Sequence, residues 1–178
     1  MPNPIAPELK VSKWFNADKD ITLADLRGKV VVIEAFQMLC PGCVSHGLPM
    51  AQKIHQTFGQ DQVAVIGLHT VFEDHAAMTP VSLEAFLYEY RLSFPVGVDQ
   101  AGEGNMPMTM QAYRMQCTPS LILIDKQGHL RANHFGQVSE LLIGAEIATL
   151  TGEERVVEKT EDGKSIVDSC DENGCPIT

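Results

Sequence analysis

An apolar run followed at once by two closely spaced cysteines constrains the fold of this chain more than any other feature. Residues 30–39 are β-branched or otherwise apolar at most positions, which predicts a central strand covered on both faces. Cys40-Pro41-Gly42-Cys43 follows directly. Proline is favoured as the first residue of a helix, because its missing N–H is not needed there. The sequence therefore predicts two thiols at a strand-to-helix turn.

This placement predicts different roles for the two thiols. As the N-cap residue, Cys40 would accept hydrogen bonds from the backbone N–H groups of Gly42 and Cys43. The helix dipole would add only ~0.3–2 kcal/mol, so these bonds must supply part of any activation of the thiolate. We therefore expect Cys40 to be the nucleophile. Cys43, one helical turn further and buried, is expected to be the resolving thiol that closes a disulfide with Cys40.

A second motif lies far downstream, where Thr118-Pro119 precedes the segment 120–128, Ser-Leu-Ile-Leu-Ile-Asp-Lys-Gln-Gly. Together with the cysteine pair, it resembles the thioredoxin superfamily, specifically its TlpA/ResA-like redoxin branch, which is related to AhpC/TSA proteins. The resemblance covers about residues 9–150 and implies a three-layer α/β fold with a central mixed sheet flanked by helices. It also implies that the bond before Pro119 is cis, that this loop packs on the cysteines, and that Thr118 offers backbone groups to a cysteine-containing peptide.

The superfamily often places a buried acid six residues before the first cysteine, and Glu34 occupies that position. A carboxyl group in an apolar strand should have a raised pKa, because burial disfavours its charged form. We expect Glu34 to accept a proton from Cys43 while the mixed disulfide is resolved. The alternative is a hydrogen-bonded residue at a kink in the strand.

Three features depart from the pattern of the family. Proline follows the first cysteine, as Pro41, instead of preceding the second. Leu39 stands where an aromatic residue usually precedes the first cysteine, and Pro49 lies six residues after Cys43 instead of five. The additional residue predicts a local bulge in the helix that carries the thiols.

Composition limits the class of protein and its partners. The formal net charge of −10 argues against nucleic acid or an anionic membrane as a partner. No stretch reaches the ~20 apolar residues of a membrane span, and the first residues lack the pattern of an export signal. We therefore expect a cytoplasmic protein. Five cysteines in such a chain indicate a redox or metal role before a disulfide scaffold.

The sequence predicts one domain with short additions at both ends. We expect an N-terminal extension at 1–8, a redoxin domain at 9–150, and an acidic tail at 151–178 with a second cysteine pair, Cys170 and Cys175.

Residues 9–28 predict an N-terminal hairpin that leads into the central strand. A final helix from Ser139 to about 150 is apolar nearly all round, so we expect it to be buried. The other predicted elements are helices at 44–58, 80–90 and 106–116, strands at 62–68 and 94–99, and a hairpin at 121–135.

Several further residues have both a chemical and a structural interpretation. Cys117 could be a third thiol near the pair or a small buried residue. His46 could tune Cys43 or simply pack. Cys170 and Cys175 could relay electrons to Cys40, could complete a four-thiolate zinc site, or could have no role. His69, Glu73 and His75 have loosely ligand-like spacing, but we expect them to be solvated. Four methionines fit the core, a Cu(I) site or an apolar groove for a partner: Met106, Met108, Met110 and Met115.

Three functions compete. The leading function is thiol–disulfide exchange by Cys40 and Cys43, which needs no cofactor or metal. The substrate would be a disulfide-containing protein or a small thiol compound. A reductase or a thiol donor would recycle the cysteine pair. The second is a peroxiredoxin-like peroxidase, whose pattern wants proline and threonine where this chain has Ile33 and Gln37. The third is a metal-binding redoxin without turnover.

Overall fold

The computed structural model describes residues 3–153 and contains six strands and four α-helices. The strands are β1 (Val11–Phe15), β2 (Val30–Phe36), β3 (Val63–His69), β4 (Val96–Asp99), β5 (Ser120–Ile124) and β6 (Leu130–Phe135). The helices are α1 (Leu48–Thr57), α2 (Pro80–Glu89), α3 (Met108–Ala112) and α4 (Glu140–Gly152), and a π-helical turn, Cys43–Gly47, directly precedes α1.

All six strands form one mixed sheet in the order β1-β4-β3-β2-β5-β6. Strands β2, β3 and β4 are parallel, while β1, β5 and β6 pair antiparallel to their neighbours. Every residue of β2 is buried, as its continuous apolar character predicts. Parallel strands end at the same edge of a sheet, so the cysteine turn after β2 lies beside the loops that follow β3 and β4.

Helices cover both faces of the sheet and give the predicted three-layer architecture. One hydrophobic cluster lies under α1, α2 and α4 and includes Phe36, Leu83 and Ile143. The cluster on the opposite face includes Ile66 from β3 and Met110 from α3. The cysteine turn therefore follows a strand whose two faces are both covered by packed hydrophobic side chains.

The N-terminal hairpin predicted over residues 9–28 is wrong. Only β1 forms there, and it pairs with the distant β4, while a series of turns follows at 22–29. An isolated two-stranded hairpin has little stability in water, whereas the edge of β4 supplies backbone partners on an existing sheet. The extended conformation was thus predicted correctly, and its partner was not.

The prediction that the last helix is buried is also wrong. Its inner side packs Ile143, Ile147 and Leu150 against the sheet, but Leu141 is 84% exposed and Leu142 is 47% exposed. An outer helix of a three-layer fold can bury only one stripe, whatever residues it carries.

The other helices and strands lie close to their predicted positions, although α3 is shorter than the helix predicted over 106–116. Helix α2 begins after Thr79, whose side-chain oxygen accepts a hydrogen bond from the Ser82 N–H. None of the helices within residues 3–153 has both the length and the apolar character of a membrane span. The acidic tail and its two cysteines lie outside the described residues, so the predicted domain division remains a prediction.

Candidate active site

The two thiols lie at the predicted strand-to-helix turn. Cys40 is half-buried and Cys43 is buried, and both thiols are free. The Cys43 backbone N–H donates a hydrogen bond to Cys40 Sγ at 3.3 Å, which confirms one of the two bonds expected for an N-cap sulfur. The second expected bond, from the Gly42 N–H to Cys40 Sγ, is not formed in the structure of residues 3–153. The Cys40 thiol instead donates to the Thr118 carbonyl oxygen at 3.6 Å.

Burial separates the chemistry of the two thiols. Burial raises the pKa of Cys43 far above that of a free cysteine, and a hydrogen bond with the Cys40 thiol raises it further. Contacts with the Gln37 backbone and the Thr118 side chain act in the opposite direction without reversing the shift. Cys43 therefore stays protonated at neutral pH, beside a sulfur that reaches solvent.

The loop that precedes β5 packs on the cysteine turn. The Thr118–Pro119 peptide bond is cis, as the resemblance implied. A Cβ atom placed on Gly42 would lie 3.4 Å from Pro119 Cδ, so the loop and the first turn of the helix are in van der Waals contact. Thr118 contributes its carbonyl oxygen to Cys40. Its role in binding a peptide stays a prediction.

Glu34 lies in the middle of β2, between Gly67 of β3 and Leu121 of β5. Its side chain is buried, and Oε1 has no hydrogen-bond partner. Burial raises the pKa of this carboxyl well above its usual range, and the charge of Cys40 adds to that shift. The register of β2 is regular across Glu34 on both sides, so the alternative of a residue at a strand kink finds no support.

A π-helical turn connects the cysteines to α1. The Leu48 N–H donates to the Cys43 carbonyl oxygen, five residues back, so this turn holds one residue more than an α-helical turn. The turn ends at Gly47, two residues before Pro49. The bulge predicted from the position of Pro49 is therefore confirmed.

Gln37 has a structural role that the sequence interpretation missed. The side chain is buried, its Nε2 donates to Glu73 Oε1 at 3.1 Å, and its Oε1 accepts from the Phe72 N–H at 3.2 Å. These bonds join the segment before Cys40 to the loop after β3. An amide held in this way occupies the position where a peroxiredoxin-like site would need a hydroxyl group.

The loosely ligand-like histidine and glutamate residues do not converge. His69 is buried beside Phe36, with ring centroids 5.3 Å apart, and both of its ring nitrogens lack partners. The expectation that it is solvated is wrong, because β3 extends through it into the core. Glu73 bonds to Gln37 instead. Within residues 3–153 no three metal-ligating side chains form a group.

The remaining candidates have structural surroundings. His46 Nε2 lies 2.9 Å from the Val138 carbonyl oxygen, so this ring connects the π-helical turn to the segment before α4, which favours the packing interpretation. Cys117 is half-buried with a free thiol, and its carbonyl oxygen accepts from Ser120 Oγ at 2.7 Å. Of the four methionines, Met110 and Met115 are buried, whereas Met106 and Met108 are partly exposed.

The mixed sheet lies between two layers of helices. Two thiols lie at the start of a helix, and a loop with a cis-proline packs against them. Together these features define a thioredoxin-like redoxin domain. The family model described as the AhpC/TSA family matches residues 2–133, and the chain belongs to this family. The resemblance to TlpA/ResA-like redoxins is thereby confirmed.

Solved structures agree with this assignment. The thioredoxin-like superfamily protein SPOA0173 is 70% identical, with a TM-score of 0.84 over 85% of this chain and 98% of that chain. A thiol-disulfide isomerase from Corynebacterium glutamicum is 49% identical, with a TM-score of 0.80 over 84% of this chain and 98% of that chain.

Curated relatives are more distant, and most of them are longer. Protein DipZ from Mycobacterium tuberculosis is 32% identical over 145 residues, which is 78% of this chain and 20% of DipZ. Thiol-disulfide oxidoreductase ResA from Halalkalibacterium halodurans is 25% identical over 125 residues, 70% of this chain and 64% of ResA. The chain thus spans about a fifth of the length of DipZ.

Proposed function

We propose that this protein is a thiol–disulfide oxidoreductase that works through Cys40 and Cys43. The observation that carries the proposal is the asymmetry of the pair: a half-exposed sulfur that accepts the Cys43 N–H, and a buried thiol beside it whose pKa is raised. The Cys40 sulfur can reach a substrate disulfide, and the buried Cys43 thiol reacts only after the mixed disulfide has formed. Relatives named as thiol-disulfide oxidoreductase or isomerase support this function over the two alternatives.

The exchange proceeds in two steps that balance in electrons and protons. The Cys40 thiolate attacks one sulfur of the substrate disulfide, that S–S bond breaks, and the first substrate thiolate leaves. In molecules whose Glu34 is ionised, its carboxylate takes the proton of Cys43, and the Cys43 sulfur attacks Cys40 Sγ. The Cys40–Cys43 disulfide forms and the second substrate thiolate leaves. The pair is oxidised by two electrons and the substrate is reduced, and the reverse sequence transfers electrons the other way.

The site suits an extended, cysteine-containing substrate. Thr118 lies beside Cys40, where its backbone groups can pair with a peptide in the manner of strand addition. A reductase or a small thiol donor would return the pair to the dithiol form after each turnover. In this role the protein would have an antioxidant effect on oxidised thiols in the cytoplasm. The net charge of −10 disfavours nucleic acid and anionic membranes as partners.

The two alternatives have weaker support. Peroxidase activity would need an oxygen-positioning hydroxyl group near Cys40, and the side chain at that position is the Gln37 amide, which is bonded to Phe72 and Glu73. A structural zinc site would need four ligands, and residues 3–153 bring no third candidate ligand to the thiols of Cys40 and Cys43.

The test is the reduction of oxidised glutathione and of a cysteine-containing peptide disulfide by wild type, Cys40→Ser and Cys43→Ser. We expect no turnover for Cys40→Ser and a mixed disulfide, identified by mass, for Cys43→Ser. A Cys170→Ser/Cys175→Ser variant and a Cys117→Ser variant serve as controls for the other thiols. Full activity of Cys40→Ser would refute the proposal.

A further inference from the structure

Gly47, at the end of the π-helical turn, lies directly over the carboxyl group of Glu34. A Cβ atom placed on Gly47 would be 2.2 Å from Glu34 Oε1, 3.0 Å from Glu34 Cδ and 3.2 Å from Pro119 Cβ. Non-bonded carbon and oxygen atoms do not approach to 2.2 Å. The volume that any side chain at Gly47 would fill is therefore the volume that the Glu34 carboxyl occupies.

The backbone conformation does not explain the glycine. Gly47 has φ −60° and ψ −55°, an ordinary right-handed helical conformation that every residue adopts. Glycine is also a poor choice inside a helix, where it is less favourable than alanine. Gly144 in α4 makes the contrast, because a Cβ atom placed there would meet nothing within 4 Å. Of these two helical glycines, only Gly47 has a neighbouring side chain that leaves no room for a Cβ atom.

The π-helical turn brings this glycine to the acid. Because the turn contains one residue more than an α-helical turn, it changes which position of the helix faces β2. The preceding residue, His46, is directed to the Val138 carbonyl oxygen, and the position that faces Glu34 carries no side chain. An inserted residue and a glycine thus act together on one carboxyl group.

We propose that Gly47 is a positioning residue for the thiol chemistry: the π-helical turn presents it to Glu34 so that the carboxyl fits between the helix and Pro119, beside the cysteine pair. This inference rests on the role proposed above for Glu34 in resolving the mixed disulfide. Gly47 has no side chain that could react, and it acts by fixing where the proton acceptor lies.

The surroundings of Glu34 make its position easy to isolate in an experiment. Its strand neighbours are Gly67 and Leu121, and neither has a titratable side chain, nor do Gly47 and Pro119, which pack on its carboxyl. Cys40 is the group whose charge acts on it. A change at Gly47 that alters the pH dependence of resolution therefore acts through Glu34 and the thiols.

The experiment compares Gly47→Ala with Gly144→Ala in the full chain, measuring separately the attack of Cys40 on oxidised glutathione and the subsequent release of the second glutathione. We expect Gly47→Ala to slow release by between about tenfold and a hundredfold, since misplacing a reacting group by 1 Å has effects of this size. It should also shift the pH at which release is half-maximal. The attack by Cys40 should change less than twofold, and Gly144→Ala should alter neither step.

A second background keeps the test decisive if Gly47→Ala folds poorly. In Glu34→Ala only the 3.2 Å contact with Pro119 Cβ remains, so adding Gly47→Ala should lower the melting temperature much less than it does in wild type and leave the slow release of Glu34→Ala unchanged. An unaltered rate and pH profile in Gly47→Ala, or equal damage with and without Glu34, would overturn the inference. If wild type releases no glutathione, the proposed function fails, while the coupling of the two melting temperatures still tests whether Gly47 makes room for Glu34.

Discussion

The Gln37 side chain donates a hydrogen bond of 3.1 Å to the Glu73 carboxylate and thereby joins the segment before the cysteines to the loop after β3. The same amide accepts a hydrogen bond from the Phe72 backbone N–H. Two loops that follow neighbouring parallel strands are thus held together by one buried side chain. The Gln37 side chain therefore helps to hold the segment that leads into the cysteine turn.

Truncating this amide should destabilise the fold. Gln37→Ala leaves the partly buried Phe72 N–H without its partner and removes the bond to Glu73, whose side chain is exposed. We expect a loss of about 1–3 kcal/mol in the free energy of unfolding. Urea denaturation of wild type and variant measures it. Gln52→Ala is the matched control, because the Gln52 bond to the Arg91 carbonyl oxygen is exposed, and it should change stability by less than about 0.5 kcal/mol. Equal effects at the two positions would contradict the assigned role.

Glu34 should make the protein less stable as the pH rises. Because its pKa is raised in the folded state, the folded chain keeps a proton that the unfolded chain releases above about pH 4.3. Its stabilising contribution is therefore fully present below that pH and is lost as the pH approaches the folded pKa, by about 1.4 kcal/mol per pH unit. Glu34→Gln removes this dependence, so it should gain stability relative to wild type between pH 5 and pH 8. Denaturant titrations at both pH values decide the point; a constant difference would mean that Glu34 is ionised in the folded chain as well as in the unfolded chain, so that its pKa is not raised.

His69 should have the opposite effect. Burial lowers its pKa to about 4, so the unfolded chain binds a proton below the usual 6.5 that the folded chain does not bind. Stability is then complete above pH 6.5 and declines as the pH falls towards 4. Relative to His69→Phe, which keeps an aromatic ring beside Phe36, wild type should lose about 2 kcal/mol between pH 7 and pH 5. His55→Phe, at a half-buried histidine, provides the comparison, and a similar pH effect there would argue against the special environment of His69.

Helix α4 allows a direct test of its one-sided burial. Ile147→Ala should cost about 2–5 kcal/mol, because the removed side chain fills the core under the helix. Leu141→Ala removes a similar side chain from solvent and should change stability by less than about 0.5 kcal/mol. Chemical denaturation of both variants gives the comparison. A large loss for Leu141→Ala would show that this surface is covered in solution.

The sequence by itself determined the parts of the protein that depend on neighbouring residues. The continuous apolar run predicted a strand buried on both faces, and β2 is such a strand. The order Cys-Pro-Gly-Cys predicted the start of a helix, and the displaced Pro49 predicted the bulge found at Cys43–Gly47. Together with Thr118-Pro119, these motifs were sufficient for the family and for the pair of thiols.

Only the tertiary structure decided which surfaces and side chains meet. The partner of β1, the exposure of Leu141, and the burial of His69 all depend on what lies across the sheet or outside a helix, and a periodic pattern carries no such information. The same holds for the contact of Gln37 with Glu73 and for the place of Glu34 beneath Gly47. Hydrogen bonds and close packing act over a few ångströms in space, so residues far apart in the chain become neighbours only when the whole sheet and its helices are assembled.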